Sequence, residues 1–89
     1  MFRRTMKRSA GMFFPFDQPK SASFWMENTP LSLDLIFVTA DKRVLSVASN
    51  AKPNSRMIID SRGLAASVIE LNAGEAARIG LKAGDKVEL

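Results

Sequence analysis

Leu33-Asp34-Leu35-Ile36-Phe37-Val38-Thr39 is the stretch whose reading decides the fold. Side chains of an extended chain alternate between two faces, so Leu33, Leu35 and Phe37 share one side and Asp34, Ile36 and Val38 the other. Apart from the single acid, both sides are apolar. A strand of that kind belongs in the middle of a sheet with cover on both faces. A carboxylate placed there is costly unless something hydrogen-bonds or pairs with it, so Asp34 must have company.

Working outward, Ala40-Asp41-Lys42-Arg43 reads as a tight hairpin connection, and residues 44–49 as its return strand. Upstream, Met12-Phe13-Phe14-Pro15-Phe16 is short and aromatic, and its proline confines it to an edge or a strand end. Asp17-Gln18-Pro19-Lys20 has turn composition. Residues 22–26 read as a second strand, with Phe24 and Met26 on one face and Ser23 and Trp25 on the other. Glu27-Asn28-Thr29-Pro30 follows as a polar bend.

Downstream, residues 50–63 form the longest irregular stretch, closed by Gly63 and holding an apolar knot at Met57-Ile58-Ile59. Loops of that length usually serve function or flexibility. Residues 65–71 read as a strand. A short helix should follow, with Asn72 as N-cap, Glu75 three residues on, Gly80 as the terminating glycine, and Ala76 and Ile79 against the sheet. Residues 82–85 read as a turn and 86–89 as a closing strand. The whole is a mainly β (α+β) fold: a small, partly open antiparallel β-barrel or rolled sheet with one short helix near the C-terminus. Eighty-nine residues make one domain.

Composition narrows the chemistry. The 89 residues contain neither Cys nor His, which removes disulfides, thiol nucleophiles, the commonest transition-metal ligand and the commonest general base. No metal or cofactor is expected. The formal charge of +4 comes from 13 basic and 9 acidic residues, and Arg3, Arg4, Lys7 and Arg8 account for all of the excess. A nucleic-acid partner wants basic residues spread over a folded surface, so the charge map speaks against one. Residues 1–11 read instead as an exposed basic arm or the remnant of a first element. No apolar run approaches the roughly 20 residues of a membrane span. The basic start is followed by a five-residue stretch, 12–16, broken by Pro15 and ended by Asp17, short of the roughly 7–15 apolar residues that an export signal requires.

Three clusters stand out together: Gly11-Met12-Phe13-Phe14-Pro15-Phe16; Phe24-Trp25-Met26-Glu27-Asn28-Thr29-Pro30-Leu31-Ser32-Leu33-Asp34-Leu35-Ile36-Phe37; and Ile69-Glu70-Leu71-Asn72-Ala73-Gly74 continuing through Gly80-Leu81-Lys82-Ala83-Gly84-Asp85-Lys86-Val87. With them the chain resembles the domain-of-unknown-function 192 family of small bacterial and archaeal proteins, from about Met1 to Val87. The resemblance implies a chain that lacks the family's usual first strand and export signal, through truncation or a late start, with full-length members often exported to the periplasm or envelope. It implies no activity, because the family's role is unassigned. An absent first strand would leave the edge beside residues 12–16 free to pair with a second copy, giving a homodimer.

Candidate binding residues follow from the same stretches. Trp25, the only tryptophan, is either an aromatic platform for a ligand or a core ring with its N–H paired. Asn28 and Thr29 would serve that ligand, or hold a turn with their side chains. Asp34 is a ligand anchor or tuned acid, or else an acceptor for the Asn28-Thr29 N–H groups or a partner of Lys52 or Arg43. Asn50 and Lys52 would form a polar rim, and Glu70 reads as an ion-pair partner of Lys86 or Arg78. No catalytic residue is assigned. The functional expectation is a small accessory or ligand-binding module of the cell envelope, taking a small molecule or a protein. The alternative is a small hydrolase- or isomerase-like enzyme with Asp34 or Glu27 as base. Convergence of Glu27, Asn28, Asp34 and Lys52 on one cleft would favour the enzyme, and a shallow aromatic surface would favour binding.

Overall fold

A computed structural model describes residues 12–27 and 29–87. Four antiparallel strands form one open, unclosed sheet in the order β1-β4-β2-β3. They are β1 (Met12–Phe24), β2 (Leu33–Val38), β3 (Val44–Ala51) and β4 (Ile59–Asn72), followed by one short helix, α1 (Glu75–Arg78). The basic arm at residues 1–11 and the end of the closing strand at 88–89 lie outside the described residues.

β2 is the inner strand its sequence implies, flanked by β3 on one side and β4 on the other. Its two apolar faces feed two separate cores. Ile36 and Val38 meet Val44, Ile69, Leu71, Val87 and Ala76 of the helix. Leu35 and Phe37 meet Val68, Ala22 and Ala65 inside the curl of the sheet, where Phe16, Phe24 and Leu45 close over them. The sheet can bury both faces of β2 because β4 is long and bends. Its second half pairs with β1 and β2, while residues 59–65 pair with β1 alone.

The bend is built at Ser61-Arg62-Gly63. Arg62 takes a left-handed conformation (φ 65°) and Gly63 a φ of 149°. Those three residues stand against Ala22 alone, since the register passes from Ser21↔Leu64 to Ser23↔Asp60. The fully buried Ser61 hydroxyl repairs the broken ladder, accepting the Ala22 N–H at 2.9 Å and donating to the Gly63 carbonyl at 2.7 Å.

Three local readings need correction. Residues 17–20 do not reverse the chain between two strands. The stretches on either side of them both pair with β4, with residues 16–19 bulged out between Pro15↔Ser67 and Lys20↔Ala65. Pro15 stands at the last paired position before the bulge and Pro19 at its end; neither can donate to a ladder, so the chain leaves it between them while β4 templates both sides. The long loop contracts to residues 52–58, because β4 begins at Ile59 and absorbs Gly63 into its bulge. Asn72 does not cap the helix: it ends β4, and Gly74 (φ 92°) is the capping residue, with no side-chain cap of its own. Near the C-terminus the described pairing is one isolated bridge, Lys86 to Arg43. No helix among the described residues is long and apolar enough to cross a membrane.

Candidate functional site

Asp34 is completely buried, and three backbone N–H groups converge on it. Oδ1 accepts from Asn50 at 2.8 Å, and Oδ2 accepts from Gly74 at 3.1 Å and Ala76 at 2.9 Å. The last two are donors of the first turn of α1, left without partners inside the helix, so a residue of β2 caps a helix that cannot cap itself. The third tethers the end of β3, where Asn50 is held at a φ of 55°. The acid is therefore an acceptor of main-chain N–H groups, as one reading required, but from different donors than the Asn28-Thr29 bend. Lys52 and Arg43 are not its partners. Arg43 instead reaches Asp41 at 3.7 Å and the Gly84 carbonyl at 3.2 Å.

Trp25 lies elsewhere. It is 51% exposed, which overturns the reading of it as a core ring. Phe24 pairs with Ile59, so the next step of the register sets Trp25 against Ile58. Ser23, Phe24, Trp25 and Ile58 line an open cleft of about 360 Å³. Ile58 is 64% exposed and Met57 75%, so three large apolar side chains stand in the open on adjoining segments. A second cleft, of about 300 Å³, starts from Ile58 and runs between Ser46–Ala48 of β3 and residues 58–60 with Arg62.

The frame around Trp25 is tied at several points. Met26 N–H donates to the Ser55 carbonyl and Asn54 N–H to the Thr29 carbonyl, both at 2.9 Å. Glu27 pairs with Arg56 at 3.1 Å. Met26 itself is buried and anchors the bend from below. The 52–58 loop is thereby bound to residues 26–29, and it displays its apolar side chains from a fixed base.

Of the candidate residues, Asp34 and Asn50 come together at the helix junction, while Trp25 and Thr29 belong to the bend bound to the loop that carries Lys52. Asn28 lies outside the described residues. The Asp34 contacts and the Trp25 cleft share no residue. Glu70 makes no ion pair among the described residues: Arg78 is taken by Glu75 at 2.6 Å, and Lys86 sits opposite Arg43. Partial burial, without a compensating charge, raises the Glu70 carboxyl above its ordinary value. Sequence reading missed Ile58 and Met57 as companions of Trp25, although the apolar knot inside a polar loop was the available signal. Gly74 and Ala76 had none, being small residues forty positions from the acid they bind.

An open, curled antiparallel sheet with a helix fastened to one face defines a small, mostly β protein, and among the described residues no cluster of His, Cys, Asp or Glu is placed to hold a metal. The chain belongs to the domain-of-unknown-function 192 family (DUF192, uncharacterized ACR), whose pattern matches residues 1–89. Comparison with curated proteins gave no match. Two crystal structures are similar. A protein of unknown function from Novosphingobium aromaticivorans DSM 12444 is 47% identical with a TM-score of 0.85, over 89% of this chain and 56% of that one. A protein from Sinorhizobium meliloti 1021, provisionally named a transcription regulator, is 44% identical with a TM-score of 0.84, over 88% of this chain and 60% of that one. This chain therefore spans little more than half the length of either.

Proposed function

We propose that this protein is a small binding module whose working face is the Trp25–Ile58 surface. The observation that carries the proposal is the half-exposed lone tryptophan, set over an open apolar cleft on a base tied by two main-chain bonds and an ion pair. Leaving three large apolar side chains in water on an ordered frame gains nothing for folding, and such patches commonly mark contact sites. A frame already ordered spares a ligand the entropy of ordering it.

The enzyme reading has less support. Both oxygens of Asp34 are engaged by backbone donors and the residue has no surface, so it is assigned a holding role together with Asn50. Glu27, the other candidate base, is committed to Arg56. Thr29 and Lys52 are assigned to the polar surroundings of the cleft.

The test uses the apolar anionic dye anilinonaphthalene sulfonate and the full chain. Dye binding should be lost in Trp25→Ala and Ile58→Ser while the melting temperature stays put. Dye binding that ignores both substitutions would remove the proposal.

A further inference from the structure

Resting on that reading of the Trp25 face, we infer that Met57 is a site of reversible oxidation, where a peroxide converts the thioether to a sulfoxide and so weakens the hold of the face on an apolar occupant. The chain has no cysteine and five methionines, so thioethers are its only sulfur and the groups that a mild two-electron oxidant meets first. The fold ranks those it describes. Met57 is 75% exposed, Met12 56% and Met26 2%. Oxidation of a side chain follows its access to the oxidant, which makes Met57 the preferred target and Met26 the protected one.

The setting of Met57 gives the reaction its consequence. The residue follows Arg56, whose guanidinium is bound to Glu27 at 3.1 Å, and its own N–H donates to Ser55 Oγ at 3.1 Å. Ser55 in turn accepts the Met26 N–H through its carbonyl. The thioether is therefore carried on the same base as Trp25, next in sequence to Ile58, which lines the Trp25 cleft. In the step itself a sulfur lone pair attacks one oxygen of the peroxide. An S–O bond forms as the O–O bond breaks, and the departing oxygen takes the proton of the transferred one and leaves as water, or as an alcohol from an alkyl peroxide. Sulfur loses two electrons and the peroxide gains them. The product is uncharged but polar, a hydrogen-bond acceptor far stronger than the thioether. One of three apolar side chains on the face is thereby made polar, while the core, which holds Met26 and not Met57, keeps its packing. Methionine sulfoxide reductases return the thioether, with a thiol as reductant.

The experiment treats the full chain with hydrogen peroxide, maps the products by mass spectrometry of tryptic peptides, and follows binding of anilinonaphthalene sulfonate. Cleavage after Arg56 puts Met57 in a peptide with no other methionine. Met57 should oxidise at least about tenfold faster than Met26. As it converts, dye binding should weaken at least about threefold with no change in melting temperature, and reductase treatment should restore it. Met12→Leu should lose dye binding under peroxide as the parent does, whereas Met57→Leu should keep through the treatment whatever affinity it starts with. Met57 oxidising no faster than Met26 would overturn the site. Full conversion with dye binding unchanged, a lowered melting temperature, or loss of binding in treated Met57→Leu would overturn its effect on the face. Any of these alongside Trp25-dependent dye binding sinks this inference alone. Dye binding indifferent to Trp25→Ala and Ile58→Ser sinks the reading beneath it as well.

Discussion

Oδ2 of Asp34 accepts the N–H of Ala76 at 2.9 Å across a sequence separation of 42 residues. With the Gly74 and Asn50 bonds, one buried carboxylate fastens the central strand to the end of β3 and to the first turn of the helix. Asp34→Ala leaves those donors without their acceptor at a fully buried position. It should destabilise the fold by about 3–5 kcal/mol. Asp34→Asn offers one acceptor oxygen but turns an amide donor toward another N–H, and should cost nearly as much. Urea unfolding midpoints check both, and a loss below about 1 kcal/mol in the alanine variant would contradict the fastening role.

Trp25→Ala should behave in the opposite way. The ring is half exposed, so its removal should change stability by no more than about 0.5 kcal/mol while abolishing dye binding. Thermal melts beside binding titrations separate the two effects.

Ser61→Ala tests the bend in β4. The hydroxyl is fully buried and accepts the Ala22 N–H, so its loss strands a buried donor and should cost about 1–3 kcal/mol. Amide hydrogen exchange at Ala22 should accelerate with it. Unchanged protection there would mean that the bulge does not depend on the hydroxyl.

Glu70 gives a pH dependence whose sign follows from its environment. Burial raises its carboxyl above the ordinary 4.5 in the folded state, so the folded protein holds this proton more tightly than the unfolded chain does. The destabilisation it causes is absent below about pH 4.5 and grows as pH rises through the folded value. Glu70→Gln should therefore be more stable than the parent at neutral pH, with the difference closing toward pH 4 (roughly the point where a free glutamate is protonated). Unfolding midpoints at the two pH values decide it; a variant less stable than the parent at neutral pH would show a carboxylate with a favourable partner.

The central strand was legible because period-two alternation with apolar residues on both faces leaves few options for residues 33–38. The need of Asp34 for partners was legible for the same reason. The partners themselves were not, since backbone N–H groups carry no sequence signature and these lie 16 to 42 positions away. The alternation of Ser23 and Trp25 against Phe24 and Met26 already set the tryptophan opposite a buried methionine, a cue to its exposure that its size and hydrophobicity masked. The residues 17–20 had honest turn chemistry, but a bulge and a reversal use the same residues, and only the strand that pairs on either side distinguishes them. The helix start went astray because Asn72 and Glu75 fit a capping pattern that Asp34 fulfils from another strand.

Iodide quenching of Trp25 emission in the native protein tests the openness of the proposed face with one signal, since the chain has a single tryptophan. The half-exposed ring should give red-shifted emission and a quenching constant approaching that of the urea-unfolded chain. Blue-shifted emission that iodide barely reaches would put the ring inside the protein and contradict the account.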